Sequence, residues 1–167
     1  MRKHITMALT IATMLLSSCG NNQERMMELA KDNLSASLDY PKQLVVTAVS
    51  EPDSAFGTTY FTRKEMTGML GVMGKVTKQL MQKTQSYEDF NKLDPYTMSL
   101  ARRQMAAATE VQNMIFKNTP KGEWSGWKVK IDYEGVDRNG IKYRAERWVF
   151  IDKTGKNVIK TFEIPLP

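Results

Sequence analysis

Histidine and cysteine are almost missing from this chain of 167 residues. The single histidine, His4, and the single cysteine, Cys19, both lie within the first 19 positions. The rest of the chain therefore has no imidazole and no thiol, which excludes Ser-His-Asp and Cys-His catalysis and zinc sites built from these ligands. A disulfide is excluded as well, so packing must stabilise the fold. Carboxylates, lysine and tyrosine remain as candidate catalytic groups.

A strong charge imbalance is also absent. The chain has 24 Lys and Arg against 18 Asp and Glu, a formal net charge of +6. It contains no basic run with interleaved aromatic side chains, which argues against nucleic-acid binding. The mild positive charge suits contact with anionic headgroups or envelope polymers.

The first 19 residues have the pattern of a bacterial export signal. Arg2 and Lys3 precede an apolar run from Ile5 to Leu16, which is shorter than the roughly 20 residues that cross a bilayer as a helix. The residues Leu16-Ser17-Ser18-Cys19 that follow resemble the lipobox of bacterial lipoproteins. The resemblance implies that residues 1–18 are removed and that Cys19 becomes the lipidated first residue. An ordinary signal peptide is the alternative.

Residues 19–25 form a lipidated polar tether in this interpretation. Lipoproteins of the Bacteroidetes type that reach the cell surface carry an acidic cluster after the cysteine, whereas this tether has only Glu24. Gly20 stands where enteric bacteria place an Asp for inner-membrane retention. We therefore expect an outer-membrane anchor, with the domain on the periplasmic side rather than the surface.

Helical spacing of apolar residues predicts three helices. They cover residues 24–38, 66–83 and 95–117. Thr62 and Glu65 form a capping box before the second helix. Asp94 is the predicted N-cap of the third, with Pro95 in its first turn. The last two helices form a predicted hairpin at about 62–117.

The methionines of this hairpin allow two interpretations. Met66, Met69 and Met73 share one helical stripe, and Met98 and Met105 lie on the next helix. Thioethers are ligands for Cu(I). The same spacing is typical of a core stripe, since Met fills irregular core gaps. We favour the core and predict no metal and no cofactor.

The remaining segments predict strands. The β-branched run at 44–49 predicts a strand, a turn follows at 51–54, and residues 58–61 are expected to pair beside that strand. Alternating residues from 127 and turn signals at 137–140 and 152–155 predict a three-stranded antiparallel meander at about 124–166.

This order of elements predicts an α+β fold in a single domain at 26–167: an N-terminal helix and a curved antiparallel sheet with an inserted helical hairpin. As topology, residues 26–166 resemble the cystatin-like and NTF2-like lipoproteins of Bacteroidetes envelopes. The resemblance implies a sheet that wraps a helix, and a sheet pocket.

The strand at 141–151 is apolar on both faces at its end. Trp148 and Phe150 point opposite to Val149 and Ile151. Helices on both sides would cover these faces; otherwise one face is free for a ligand or a second copy of the chain. The candidate binding surface consists of Trp124, Arg147, Trp148 and Phe150, because aromatic and Arg side chains are favoured anchors.

Other polar residues give weaker signals. The tripeptide Asp53-Ser54-Ala55 resembles the O-glycosylation acceptor of Bacteroidetes proteins, with Ser54 as the acceptor in a predicted loop. Asp132 and Glu163 are candidate general bases, but no spacing pairs them. Charged residues on the first two strands of the predicted meander are expected to form a solvated face. They are Lys128, Lys130, Asp132, Glu134, Lys142, Arg144 and Glu146.

The first hypothesis for function is a lipid-anchored envelope protein without catalytic activity. It would bind a protein, peptide or glycan at the sheet face or in the helix–sheet cleft. The alternatives are an NTF2-like enzyme that uses a carboxylate or Tyr in the sheet pocket, and a structural homodimer joined through the Trp148 face.

Overall fold

The computed structural model describes residues 21–84, 93–117 and 120–167. The predicted signal at 1–18 and the lipobox with Cys19 lie outside these residues. The elements, in chain order, are α1 (21–36), a 3-10 helix (Pro41–Gln43), β1 (Val45–Val49), β2 (Asp53–Ala55), α2 (Arg63–Thr84), α3 (Pro95–Lys117), β3 (Gly126–Val136), β4 (Lys142–Asp152) and β5 (Val158–Pro165). The predicted α+β fold is confirmed.

The five strands form one antiparallel sheet. Its order is β1-β3-β4-β5, and β2 pairs with β3 along the same edge as β1, beyond a break at residues 50–52. Strands β3, β4 and β5 form the predicted meander. A tight turn joins β3 to β4, where Gly140 adopts φ 77° and donates its N–H to the Asp137 carbonyl at 2.8 Å.

Helices cover both faces of the sheet. On the α1 face, Ala30 and Leu34 of α1 pack on a cluster that includes Val129, Ile131 and Val149. On the opposite side, which we call the hairpin face, α2 and α3 cover a second cluster; it contains Phe61, Met69, Met73, Val111, Trp148, Phe150 and Phe162. Among the described residues, no helix is long and apolar enough to span a bilayer.

The helix starts follow the predicted capping chemistry. The Thr62 N–H donates to Glu65 Oε2 at 2.7 Å, and the Glu65 N–H donates to Thr62 Oγ1 at 3.3 Å, which is a capping box. At α3, the Thr97 N–H donates to Asp94 Oδ1 at 3.0 Å. These side chains satisfy N–H groups that the first helical turn leaves unpaired.

The prediction of an extended piece at 58–61 beside β1 was wrong. The second strand is instead Asp53–Ala55, inside the predicted turn. Gly57, with φ 82°, redirects the chain after it. Phe61 then turns inward, and its ring lies edge-on to Trp148 and Phe150 at centroid distances of 5.2 and 5.8 Å. Packing of this aromatic ring therefore decided the path of the segment.

Candidate functional site

A cleft of about 500 Å³ opens between α2 and the hairpin face of the sheet. Met69, Val72 and Trp148 form its apolar wall, and Gly68 lies at its edge on α2. A Cβ added at Gly68 would meet no atom within 4 Å. The polar lining consists of Asp53, Thr62, Lys64, Glu65, Lys130 and Glu146. We call this site the helix–sheet cleft.

Charged and polar groups of neighbouring strands are paired inside the cleft. Lys130 Nζ lies 3.2 Å from Glu146 Oε2 and 3.4 Å from Asp132 Oδ1. Trp148 Nε1 donates to the other Glu146 oxygen at 2.6 Å. Burial by itself would lower the pKa of Lys130, but the charges of Glu146 and Asp132 raise it above its ordinary value. Lys130 is therefore a fixed cation, and its side chain remains 34% exposed.

A second lysine of β3 is buried below the cleft. The Lys128 side chain is only 2% exposed, and its Nζ lies 2.6 Å from Glu65 Oε1 and 3.8 Å from Asp53 Oδ2. Burial would raise the pKa of the Glu65 carboxyl, but hydrogen bonds from Lys128 and Thr62 lower it. Glu65 thus caps α2 and pairs with β3 through the same carboxylate.

The opposite face of the sheet carries an arginine–glutamate cluster. Glu163 on β5 accepts hydrogen bonds from Arg103 Nη1 at 2.6 Å, Arg147 Nη2 at 3.0 Å and the Tyr133 hydroxyl at 2.5 Å. The Arg103 guanidinium also lies 3.3 Å from the ring centroid of Tyr143. Burial, then the Glu163 charge, raise the pKa of Tyr133, so this phenol stays neutral and donates.

The inward carboxylates of both sites already accept several hydrogen bonds. Glu163 has three donors and Glu146 has two, including a cation in each case. A general base needs a lone pair within reach of a substrate proton. A carboxylate has about four lone-pair sites, so both groups keep acceptor capacity, while their donors hold each side chain in one orientation.

The predicted binding surface on β4 needs correction. Trp148 and Phe150 are 7% and 1% exposed, because the helical hairpin and Phe61 cover them. Arg147 points to the α1 face and pairs with Glu163. Trp124 is 37% exposed but lies beside Trp127, away from this cluster. The four residues are not brought together, and the Trp148 face is not open to a second copy.

The charged residues of β3 and β4 that were predicted to form one solvated face do lie on the same face of the sheet. That face is only partly solvated. Lys128 and Glu146 are buried under α2, contrary to the prediction. The ion pair of Lys128 with Glu65 was missed, because the two residues are 63 positions apart. The one local pattern that points to this ion pair is the capping box, because it places Glu65 at the start of a helix that packs on this sheet.

Ser54 lies in a different environment from the predicted loop, and the methionines are divided between the core and the surface. Ser54 lies in β2, half-buried and opposite Trp127, rather than in a loop. Met69 and Met73 are buried in the core, while Met105 is 70% exposed. The methionines therefore do not converge on one point, as a copper site requires. No group of three His, Cys, Asp or Glu side chains suited to a metal occurs among the described residues.

Comparisons with known proteins add no relative. No protein-family model matches the chain, and no curated protein or solved structure matches it. The fold class therefore stands on the structure itself: helices on both faces of a five-stranded antiparallel sheet.

Proposed function

We propose that this chain is a lipoprotein of a bacterial cell envelope whose domain binds a protein, peptide or glycan ligand in the helix–sheet cleft without catalysis. Lipid on Cys19 anchors it, in the outer membrane and on the periplasmic side. Its α+β domain is cystatin-like or NTF2-like. The observation that carries the proposal is the cleft, which combines an apolar wall with a fixed and partly exposed cation, Lys130.

The chemistry of the cleft supports a binding role. Ligand sites combine apolar walls with a few polar groups that set orientation. Met69, Val72 and Trp148 supply the wall, and Lys130 beside Glu146 supplies both signs of charge. A ligand that carries a hydrogen-bonding polar group beside an apolar one, such as a peptide side chain, fits these groups.

The enzyme alternative would use Tyr133 with Glu163, which are the tyrosine and carboxylate found together in the sheet. Tyr133 is 1% exposed and its hydroxyl donates to Glu163, so a substrate does not reach this hydroxyl. Arg103 and Arg147 also donate to the Glu163 carboxylate and hold it in place. We therefore rank binding first.

The anchor is tested by mass spectrometry of the protein from its own envelope. We expect a diacylglyceryl adduct on an amino-terminal Cys19 and loss of the protein from the membrane fraction in Cys19→Ser. An unmodified Cys19, or a variant that stays in the membrane, would contradict the anchor.

The cleft is tested by crosslinked capture from the native envelope with a matched pair of variants. Gly68→Arg fills the cleft from its edge, whereas Gly71→Arg adds the same charge elsewhere on α2; a Cβ at either position meets no atom within 4 Å. We expect Gly68→Arg to lose a ligand that Gly71→Arg retains. Equal capture by both variants would refute the cleft as the site.

A further inference from the structure

The end of the domain where the described chain enters is distinct in its surface chemistry. Helix α1 starts there, and Arg25 and Met26 lie against the β4–β5 turn: a Cβ added at Gly155 would lie 3.2 Å from Met26 Sδ and 3.8 Å from Arg25 Nη2. The other end of α1 lies near the β3–β4 turn, where the Arg138 N–H donates to Asp39 Oδ2 at 3.1 Å. Helix α1 therefore runs along the sheet from one end to the other.

Exposed aromatic and basic side chains are grouped at this entry end. Trp124 is 37% exposed and stacks edge-on against Trp127 at 5.6 Å, and Lys153 Nζ lies 5.7 Å from the Trp124 ring. Register places them beside the turn, because Trp127 pairs with Ile151. On the loop before Trp124, Lys121 Nζ lies 4.1 Å from the Phe56 ring. The exposed basic residues of this end are Arg25, Lys121, Lys153 and Lys156.

Three acidic residues at this end, Glu24, Glu123 and Asp152, stand against the four basic ones and leave a formal charge of +1. Glu24 and Glu123 are exposed, and Asp152 is the last residue of β4, directly before the turn. The Asp152 carboxylate accepts hydrogen bonds from Thr154 Oγ1 at 2.8 Å and Asn157 Nδ2 at 2.7 Å, which hold it in the turn but leave its negative charge in place. Those same hydrogen bonds lower its pKa.

We infer that this entry end, centred on Trp124, Lys153 and Lys156, docks on the anionic surface of the bilayer that holds the protein. The inference rests on the proposed anchor at Cys19. The chain from Cys19 to Arg25 spans no more than roughly 15 Å, counting two extended residues and one helical turn. An anchor that short keeps the entry end near the headgroups. Tryptophan and lysine are the side chains enriched at that depth.

Docking fixes the orientation of the domain. With the entry end on the bilayer, α1 directs the β3–β4 turn and the start of α3 away from the membrane. The helix–sheet cleft then lies on the side of the domain, where a ligand reaches it without crossing lipid.

Quenching of tryptophan emission by brominated lipids tests the inference. The lipidated protein is reconstituted in phosphatidylglycerol–phosphatidylethanolamine vesicles with bromine at a shallow acyl position. We expect quenching in the wild type that falls measurably in Trp124→Phe, with the half-buried Trp127 beside it giving the remaining signal. Trp148→Phe, which removes an indole buried in the core, is expected to keep it. No quenching in the wild type, or equal quenching in Trp124→Phe, would overturn the docking surface.

Charge is tested with the variant Lys153→Gln/Lys156→Gln. We expect its quenching to decrease in the anionic vesicles and to match the wild type in neutral phosphatidylcholine. Unchanged quenching in anionic vesicles would overturn the role of these lysines.

Failure of the anchor and failure of docking are distinguishable. Mass spectrometry reports the lipid on Cys19 independently of the quenching. If the thiol carries no lipid, Cys19→Ser with an amino-terminal polyhistidine tag is tethered to nickel-chelating lipid in the same vesicles. Quenching that depends on Trp124 in that tethered form supports the docking surface, and its absence refutes it.

Discussion

Lys128 and Glu65 provide the sharpest test of how α2 is held on the sheet. The Lys128 ammonium is almost fully buried, and Glu65 Oε1 is its near partner at 2.6 Å. Glu65→Gln removes the charge but keeps the oxygen that caps α2, since Gln also serves in a capping box. The substitution therefore isolates the ion pair from the helix cap.

The expected magnitude follows from the burial of each partner. Removing one member of a buried ion pair costs about 3–5 kcal/mol, because the other charge is left uncompensated. We expect Glu65→Gln to lower the free energy of unfolding by about 3 kcal/mol. This value is at the lower end of the range because Asp53, 3.8 Å from the ammonium, still compensates part of its charge. Lys128→Met is expected to cost only about 1 kcal/mol, because Glu65 keeps its Thr62 donors and contact with water.

The double variant completes a thermodynamic cycle. With both charges gone, we expect a loss of about 1–2 kcal/mol, so the coupling between the two positions is about 2–3 kcal/mol. Urea unfolding followed by circular dichroism measures all four proteins. Additive single losses, or a Glu65→Gln change below about 0.5 kcal/mol, would show that Lys128 does not depend on Glu65.

The pH dependence of the free energy of unfolding tests the same ion pair independently. The pKa of Glu65 is lower in the folded than in the unfolded protein. The stabilisation is therefore complete above roughly pH 4.3, the ordinary Glu value, and is lost as the pH falls through the folded pKa. The difference between wild type and Glu65→Gln should narrow below about pH 4. A difference that is constant from pH 7 to pH 3 would contradict the pairing.

Four further substitutions test single positions. Gly126 has φ 142°, and Gly126→Ala would place a Cβ 2.2 Å from a carbonyl oxygen of β4, so we expect little folded protein by circular dichroism. Gly71→Ala adds its Cβ in open space and should raise the free energy of unfolding by about 1 kcal/mol. A folded Gly126→Ala variant would contradict the close approach. Tyr133→Phe removes the hydroxyl bond to Glu163 and should cost about 1 kcal/mol at pH 7. Because the pKa of Tyr133 is raised on folding, its contribution is complete below about pH 10, the ordinary Tyr value, and is lost progressively as the pH rises toward the higher folded pKa. The stability difference between wild type and Tyr133→Phe should therefore be smaller at about pH 11 than at pH 7, and an equal difference in urea unfolding would refute this sign. Gln104→Leu removes the two 3.0 Å hydrogen bonds from α3 to α2 and should lower the melting temperature by about 3–6 °C; an unchanged melting temperature would contradict this link.

Local chemistry made most elements readable from the sequence. Helix α3 begins and ends where the predicted N-cap and apolar spacing place it, at Pro95 and Lys117. The meander follows from alternation and from the turn at Gly140. Caps, periodicity and tight turns depend on residues two to four positions apart, and such contacts are present in the sequence itself. The lipobox interpretation of Cys19 is also a local pattern, and it stays a prediction.

The tertiary structure decided what each face touches. The sequence left three possible covers for Trp148, namely a helix, a ligand or a second copy of the chain, and in the folded structure the helical hairpin covers it. It also buried Lys128 against Glu65 and joined Glu163 to Arg103, 60 positions earlier. These contacts depend on which helix lies over which strand, because a charge is buried only where a distant partner meets it. The sequence by itself determined the three helices, the first strand and the meander, with their order. The folded structure determined the short strand β2 and both sites, since both clusters are built from partners far apart in the chain.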